Sequence, residues 1–276
     1  MNDEPPRDLP GQPTQETSLH GREDARADKA WRLAVFGRPQ DPHVLATLLA
    51  QATGMLPLDA LLHARRAPAV LAVELTAAQA QQLVQWLEGI GIQSAAVVVN
   101  DLPDFSQPHV LHHAHITPSG LEIYNLRGTV DECLPWSQLA VIAAGEVPGE
   151  ETVRYPEPGS PTIVSAAPLP STGVVEHQLH GQFELWLITH PPRVFCLEHR
   201  HFNYDGLGEE KTSSAQANFL HWLERLVSHA PQAWRTPATR ALLAHDLHRK
   251  YEFESSSALQ EQALLWYVMS RHLPHE

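Results

Sequence analysis

Two cysteines in 276 residues, few lysines and no long hydrophobic run are the first absences in this sequence. Cys133 and Cys196 both sit in strand-like runs without a CxxC partner, which excludes a disulfide-stapled scaffold and predicts two buried thiols in a reducing compartment. The longest apolar runs, "AVLAVEL" at 69–75 and "SAAVVV" at 94–99, fall well short of the roughly 20 residues a spanning helix requires, so no membrane span is expected. Only three of the 19 basic residues are lysine, and the net charge is -13. An acidic surface repels phosphate, which argues against a nucleic-acid partner and against lipid binding. Catalytic signatures are missing too: there is no P-loop, no GxSxG elbow and no HExxH helix. "GIGIQS" has two glycines but follows a helix rather than a strand, so it reads as a helix end and not as a dinucleotide loop. The start, "MNDEPPRDLPGQPTQ", has an acidic front and no apolar core, unlike a secretory signal or transit peptide. These absences together predict a cytoplasmic protein with no cofactor.

What is present is enough to fold. With 43% hydrophobic and 18% charged residues, the chain is long enough for two modest domains, each burying its own core. Residues 1–29 are polar and show no apolar periodicity, which predicts a disordered tail. From Trp31 the signals alternate. "WRLAVFG" reads as a strand. "DPHVLATLLAQATG" reads as a helix capped by Asp41 and closed by Gly54, and a second helix starts near Pro57. "AVLAVEL" then reads as a strand, Thr76 with Gln79 as the capping box of a third helix, and "IQSAAVVV" as a closing strand. The expectation for 30–100 is a β-α-α-β-α-β domain, a three-stranded sheet covered on one side by helices.

That order, the "ATG" turn and the run "HARRAPAVLAVELTAAQAQQLVQWLEGIGI" resemble the C-terminal domain of the bacterial ribosomal stalk protein, a fold shared with the Clp protease adaptor that recognises N-terminal degrons. The resemblance covers about a quarter of the chain and implies a fold more than a task. The stalk domain docks translation factors through Lys-rich helices, and no Lys occurs between Trp31 and Val99. The degron adaptors hold a free amino terminus with acidic residues after the first strand, where this sequence has only Asp41.

Beyond the polar link "NDLPDFSQP", residues 108–235 read as a meander of short antiparallel strands interrupted by a Pro-rich loop at 148–173 with six prolines. The meander ends in a helix capped by Ser213 and Gln216, with Phe219, Trp222, Leu223 and Leu226 on one stripe. Strands followed by one amphipathic helix, with "LPWSQLAVI" entering a strand through a Trp-containing turn, resemble the pleckstrin-homology-like barrel. Residues 236–276 add two helices, starting at Thr236 and at Ser257, that are expected to pack on the barrel. The fold class is therefore α+β.

Chemistry enters through histidine, of which there are 18. His113 with His115 and His199 with His201 form two H-x-H pairs, and on a strand such a pair turns both rings to one face. Were those strands neighbours, four imidazoles would converge on a metal, the basis of an alternative reading as a metal-dependent enzyme. The competing reading is that histidine is spread over the surface, with "CLEHRHFNYDGL" a strand end, turn and helix start whose Phe202, Tyr204 and Leu207 tuck under the helix. Cys196, between Phe195 and Leu197, reads as a buried thiol and not a nucleophile. The reading preferred on balance is a non-enzymatic adaptor or regulatory scaffold that binds another protein. Its candidate surfaces are the helical layer around Leu56, Leu58 and His63 and the Pro-rich loop. A degron-recognising protease adaptor is the other alternative.

Overall fold

The computed structural model describes residues 30–155, 174–246 and 250–274. The N-terminal tail, and the part of the Pro-rich loop at 156–173, lie outside the described residues. Strand β1 (Trp31–Val35) is followed by α1 (Pro42–Thr53), α2 (Pro57–Ala64), β2 (Ala69–Val70), α3 (Ala77–Gly89) and β3 (Ser94–Val98). The caps follow local chemistry: Asp41 Oδ1 accepts the His43 amide at 2.8 Å, and Gly54 closes α1 at φ 73°, a left-handed conformation that glycine adopts without steric cost. Thr76 and Gln79 exchange both bonds of a capping box. The strand expected from "AVLAVEL" is laddered only at Ala69–Val70 and touches β1 again where Leu75 bridges Trp31.

The sheet runs β2-β1-β3, antiparallel throughout. Leu33 and Val35 meet Leu45, Leu49, Leu83 and Leu87 on the helical side. The other face is covered as well, which the sequence reading did not anticipate. Ala34 and Val97 pack with Leu259, Ala263, Tyr267 and Val268 of the last helix, α6 (Ser256–His272), and through it with Val141, Trp186 and Ile188 of the second sheet. The helix expected on a barrel is thus held between two sheets. Its N-terminal end is tied down by the buried Glu184, whose carboxylate accepts Ser256 Oγ at 2.6 Å and Trp186 Nε1 at 3.2 Å.

The second region contains β4 (His109–Val110), β5 (Ala114–Ile116), β6 (Gly120–Tyr124), β7 (Val130–Pro135), β8 (Leu139–Tyr155), β9 (Val174–Thr189), β10 (Val194–Glu198), α4 (Ala215–His229), β11 (Trp234–Arg235) and α5 (Pro237–Leu243). Its strands fall into a five-stranded sheet, β11-β8-β9-β10-β4, and a three-stranded antiparallel sheet, β5-β6-β7. Phe219, Trp222, Leu223 and Leu226 of α4 fill the core between residues of both, including Leu121 and Ile123 on one side and Leu185 and Phe195 on the other. Where β11 ends its pairing with β8 at Ile142, Thr239 of α5 takes over, accepting the Ala144 amide at 2.8 Å and donating to the Ile142 carbonyl at 3.1 Å.

Three expectations shift. Residues 148–155, assigned to the Pro-rich loop, continue β8 because β9 offers them partners from Pro148↔Gly181 to Tyr155↔Val174. The caps of α4 and α6 are Ser214 and Ser255, not Ser213 and Ser257, since runs of adjacent hydroxyls leave the choice to tertiary packing. Cys133 is exposed: on β7 the alternation turns Leu134 inward and its neighbour out. Cys196 is buried, and burial pushes its thiol up to about 12, which removes it as a nucleophile at neutral pH.

Candidate functional site: a histidine–tyrosine cluster on the β5–β6 hairpin

The hairpin turns tightly at Thr117, whose Oγ1 accepts the Gly120 amide at 3.2 Å and whose amide donates to the Gly120 carbonyl at 3.0 Å. Its register places His115 opposite Glu122, and the Tyr124 amide donates to the His113 carbonyl at 3.0 Å. Ala114, Leu121 and Ile123 enter the core, so the alternating polar residues His113, His115, Glu122 and Tyr124 share the other face.

There they touch. His113 Nε2 and His115 Nε2 are 2.9 Å apart, with the rings edge to face at 4.7 Å. Tyr124 stacks on His113 at 4.6 Å, its hydroxyl lies 3.3 Å from His115 Nδ1, and it donates to Glu122 Oε2 at 3.1 Å. The donors run in one consistent direction. With Tyr124 donating to Glu122, its oxygen accepts from His115 Nδ1–H, which leaves the His115 Nε2 lone pair facing His113. Burial, then the proximity of His115, lowers the pKa of His113, against the opposing charge of Asp205. Burial and then the hydrogen bond to Glu122 raise that of Tyr124.

The turn after β10 closes the cluster from the side. The Asn203 amide donates to the His112 carbonyl at 2.8 Å, and Asn203 bridges His113. The Asp205 carboxylate is held by Lys211 Nζ at 2.7 Å and Asn203 Nδ2 at 3.0 Å, the first of which chiefly lowers its pKa. Gly206 lies so close that a Cβ there would stand 2.7 Å from His115 Cδ2.

The second pair goes elsewhere. β10 ends at Glu198, so strand alternation no longer governs 199–201. His199 is 6% exposed, its Nδ1 accepting the Phe183 amide at 2.9 Å, and burial lowers its pKa. His201 points outward to pair with Glu198 at 2.8 Å. The four-imidazole metal centre drawn from the sequence is therefore not assembled. Among the described residues, no group of three or more His, Cys, Asp or Glu is placed to hold a metal ion. Phe202, Tyr204 and Leu207 are buried in the core, with Phe202 against Trp222 at 5.2 Å, as the turn reading expects.

Sequence reasoning passed over Glu122 and Tyr124, although "HAHITPSGLEIY" carries the signal: a four-residue turn fixes the register that sets each polar residue across from another. Of the candidate docking residues, Leu56 and Leu58 are exposed and His63 is half-buried. Helix α2 has an inverted pattern, burying small Ala60 and Ala64 while presenting Leu58 and Leu62, one turn apart, to solvent.

Comparison with known proteins finds no matching family model, no matching curated protein and no matching solved structure.

Proposed function

We propose that the protein is a non-enzymatic adaptor or regulatory scaffold of the bacterial cytoplasm, binding another protein on the outer face of α2. The observation that carries this reading is the exposure of Leu56, Leu58 and Leu62 at 69%, 68% and 57% around one short helix. Single exposed leucines are ordinary, but a helix that buries its alanines and turns out two of its three leucines, keeping only Leu61 against the core, leaves apolar surface that association would cover. Each leucine removed from water by a partner contributes about 1.5–3 kcal/mol. The chemistry of the face selects a partner with an apolar helical or extended segment. The stalk-like order of the first unit belongs to the same proposal. So does a pleckstrin-homology-like reading of the second, supported by α4 lodged against both of its sheets. Among the described residues no helix is long and apolar enough to cross a membrane.

Cross-linking in the native cell, followed by mass spectrometry, tests the proposal with wild type and a Leu58→Glu/Leu62→Glu variant. Both positions are exposed, so the variant should unfold at the same denaturant concentration as wild type while losing its cross-linked partners. An unchanged set of partners would overturn the assignment of this face.

A further inference from the structure

We propose that His113 and His115 form a two-imidazole site for a divalent late transition metal, with copper(II) the preferred ion. The inference is independent of the adaptor reading and rests on the hairpin alone. The Nε2 atoms are 2.9 Å apart in a hydrogen bond, and a metal entering between them displaces to solvent the one proton they share, on His113 Nε2. Imidazole donation suits copper(II), which heads the affinity order for such ligands.

The surroundings suit a cation. His115 Nδ1 is engaged by the Tyr124 hydroxyl, which is itself anchored on Glu122, so the ring has its Nε2 lone pair available and a carboxylate behind it through one phenol. Metal-bound histidines commonly have this outer support, which fixes tautomer and ring orientation. Asp205 adds negative charge beside His113. Gly206 leaves the His115 ring the space it occupies, with the Ala114 carbonyl 3.2 Å from where a Cβ would stand. Water supplies the remaining positions, since the protein offers two strong ligands.

The experiment titrates chelator-treated full-length protein with copper(II) and, separately, zinc(II). Electron paramagnetic resonance reports the nitrogens bound to copper, and protection from diethylpyrocarbonate, read by mass spectrometry, reports which histidines are covered. The expected result is one copper with two-nitrogen coordination, bound at least about tenfold tighter than zinc, with His113 and His115 the protected residues. His113→Asn/His115→Asn should lose that copper and His43→Asn, on an exposed helical turn, should keep it. Copper binding equally tight in the double variant, or protection of other histidines only, overturns the proposal. Should the double variant fail to fold, the protection pattern of the wild type decides alone.

Discussion

His113 and His115 sit two residues apart where a hairpin carries Tyr124 and Glu122 across from them, whereas His199 and His201 are two residues apart across a turn that begins where β10 ends. In the first pair the pleat turns both rings to one face, and their nitrogens meet at 2.9 Å. In the second the turn sends one ring into the core, as the acceptor of a backbone amide, and the other to a surface carboxylate. A spacing of two residues therefore means a shared face only while the backbone stays extended: His113, one residue before β5, is held so by the Tyr124 amide and its bridge to Asn203, whereas 199–201 turn. The buried ring of the second pair is structural, and the half-buried rings of the first are open to chemistry.

The largest test of that contrast is His199→Ala. Its loss leaves the Phe183 amide unpaired in the core and a void against Phe183 and Phe219. Urea unfolding should show a loss of about 2–4 kcal/mol, with copper binding by the folded protein unchanged. A loss no larger than that of a surface substitution would mean that the ring does not serve the fold.

The hairpin pair should behave the opposite way. His113→Asn/His115→Asn removes the ring contacts with Tyr124 and costs about 1 kcal/mol in the same assay, while abolishing the copper signal. If the stability losses rank in reverse, the division of roles fails.

Acid sharpens the comparison. Burial lowers the pKa of His199 below its ordinary value of about 6.5, so the unfolded chain takes up the proton first as pH falls. The stability is fully present above about pH 6.5 and declines as pH drops towards the folded pKa. His113, lowered also, contributes in the same direction. His199→Gln, which offers an acceptor without titrating, should flatten the slope of unfolding free energy against pH between 6.5 and 5. An identical slope in wild type and variant would assign the acid sensitivity elsewhere.

The smallest effect belongs to His201→Ala. An exposed ion pair with Glu198 contributes little, so the change should stay within about 0.5 kcal/mol and leave copper binding intact.

Local chemistry was legible wherever neighbours in sequence decide it. Asp41, Gly54, Thr76 and Gln79 bound their helices as read, and the α4 stripe Phe219, Trp222, Leu223 and Leu226 is buried as its spacing implies. The Ser214 cap was one residue off because adjacent hydroxyls serve equally. Half of the hairpin site is legible: the H-x-H spacing marks His113 and His115, but Glu122 and Tyr124 join them only through the pairing of β5 with β6, which brings Tyr124 to His115 across nine positions of sequence. The covered second face of β1-β2-β3 was hidden because the covering helix, α6, lies more than 150 residues further along the chain.

The sequence by itself determined the helices and their caps, the inward stripes and the pairing of histidines two apart, because each rests on contacts within a turn or a strand. Only the tertiary structure decided which H-x-H pair keeps its rings on one face, that α6 lies between two sheets, and that α2 turns Leu58 and Leu62 to solvent. Those outcomes depend on which distant surfaces meet, and burial against a distant partner overrides what a residue's own neighbours prefer.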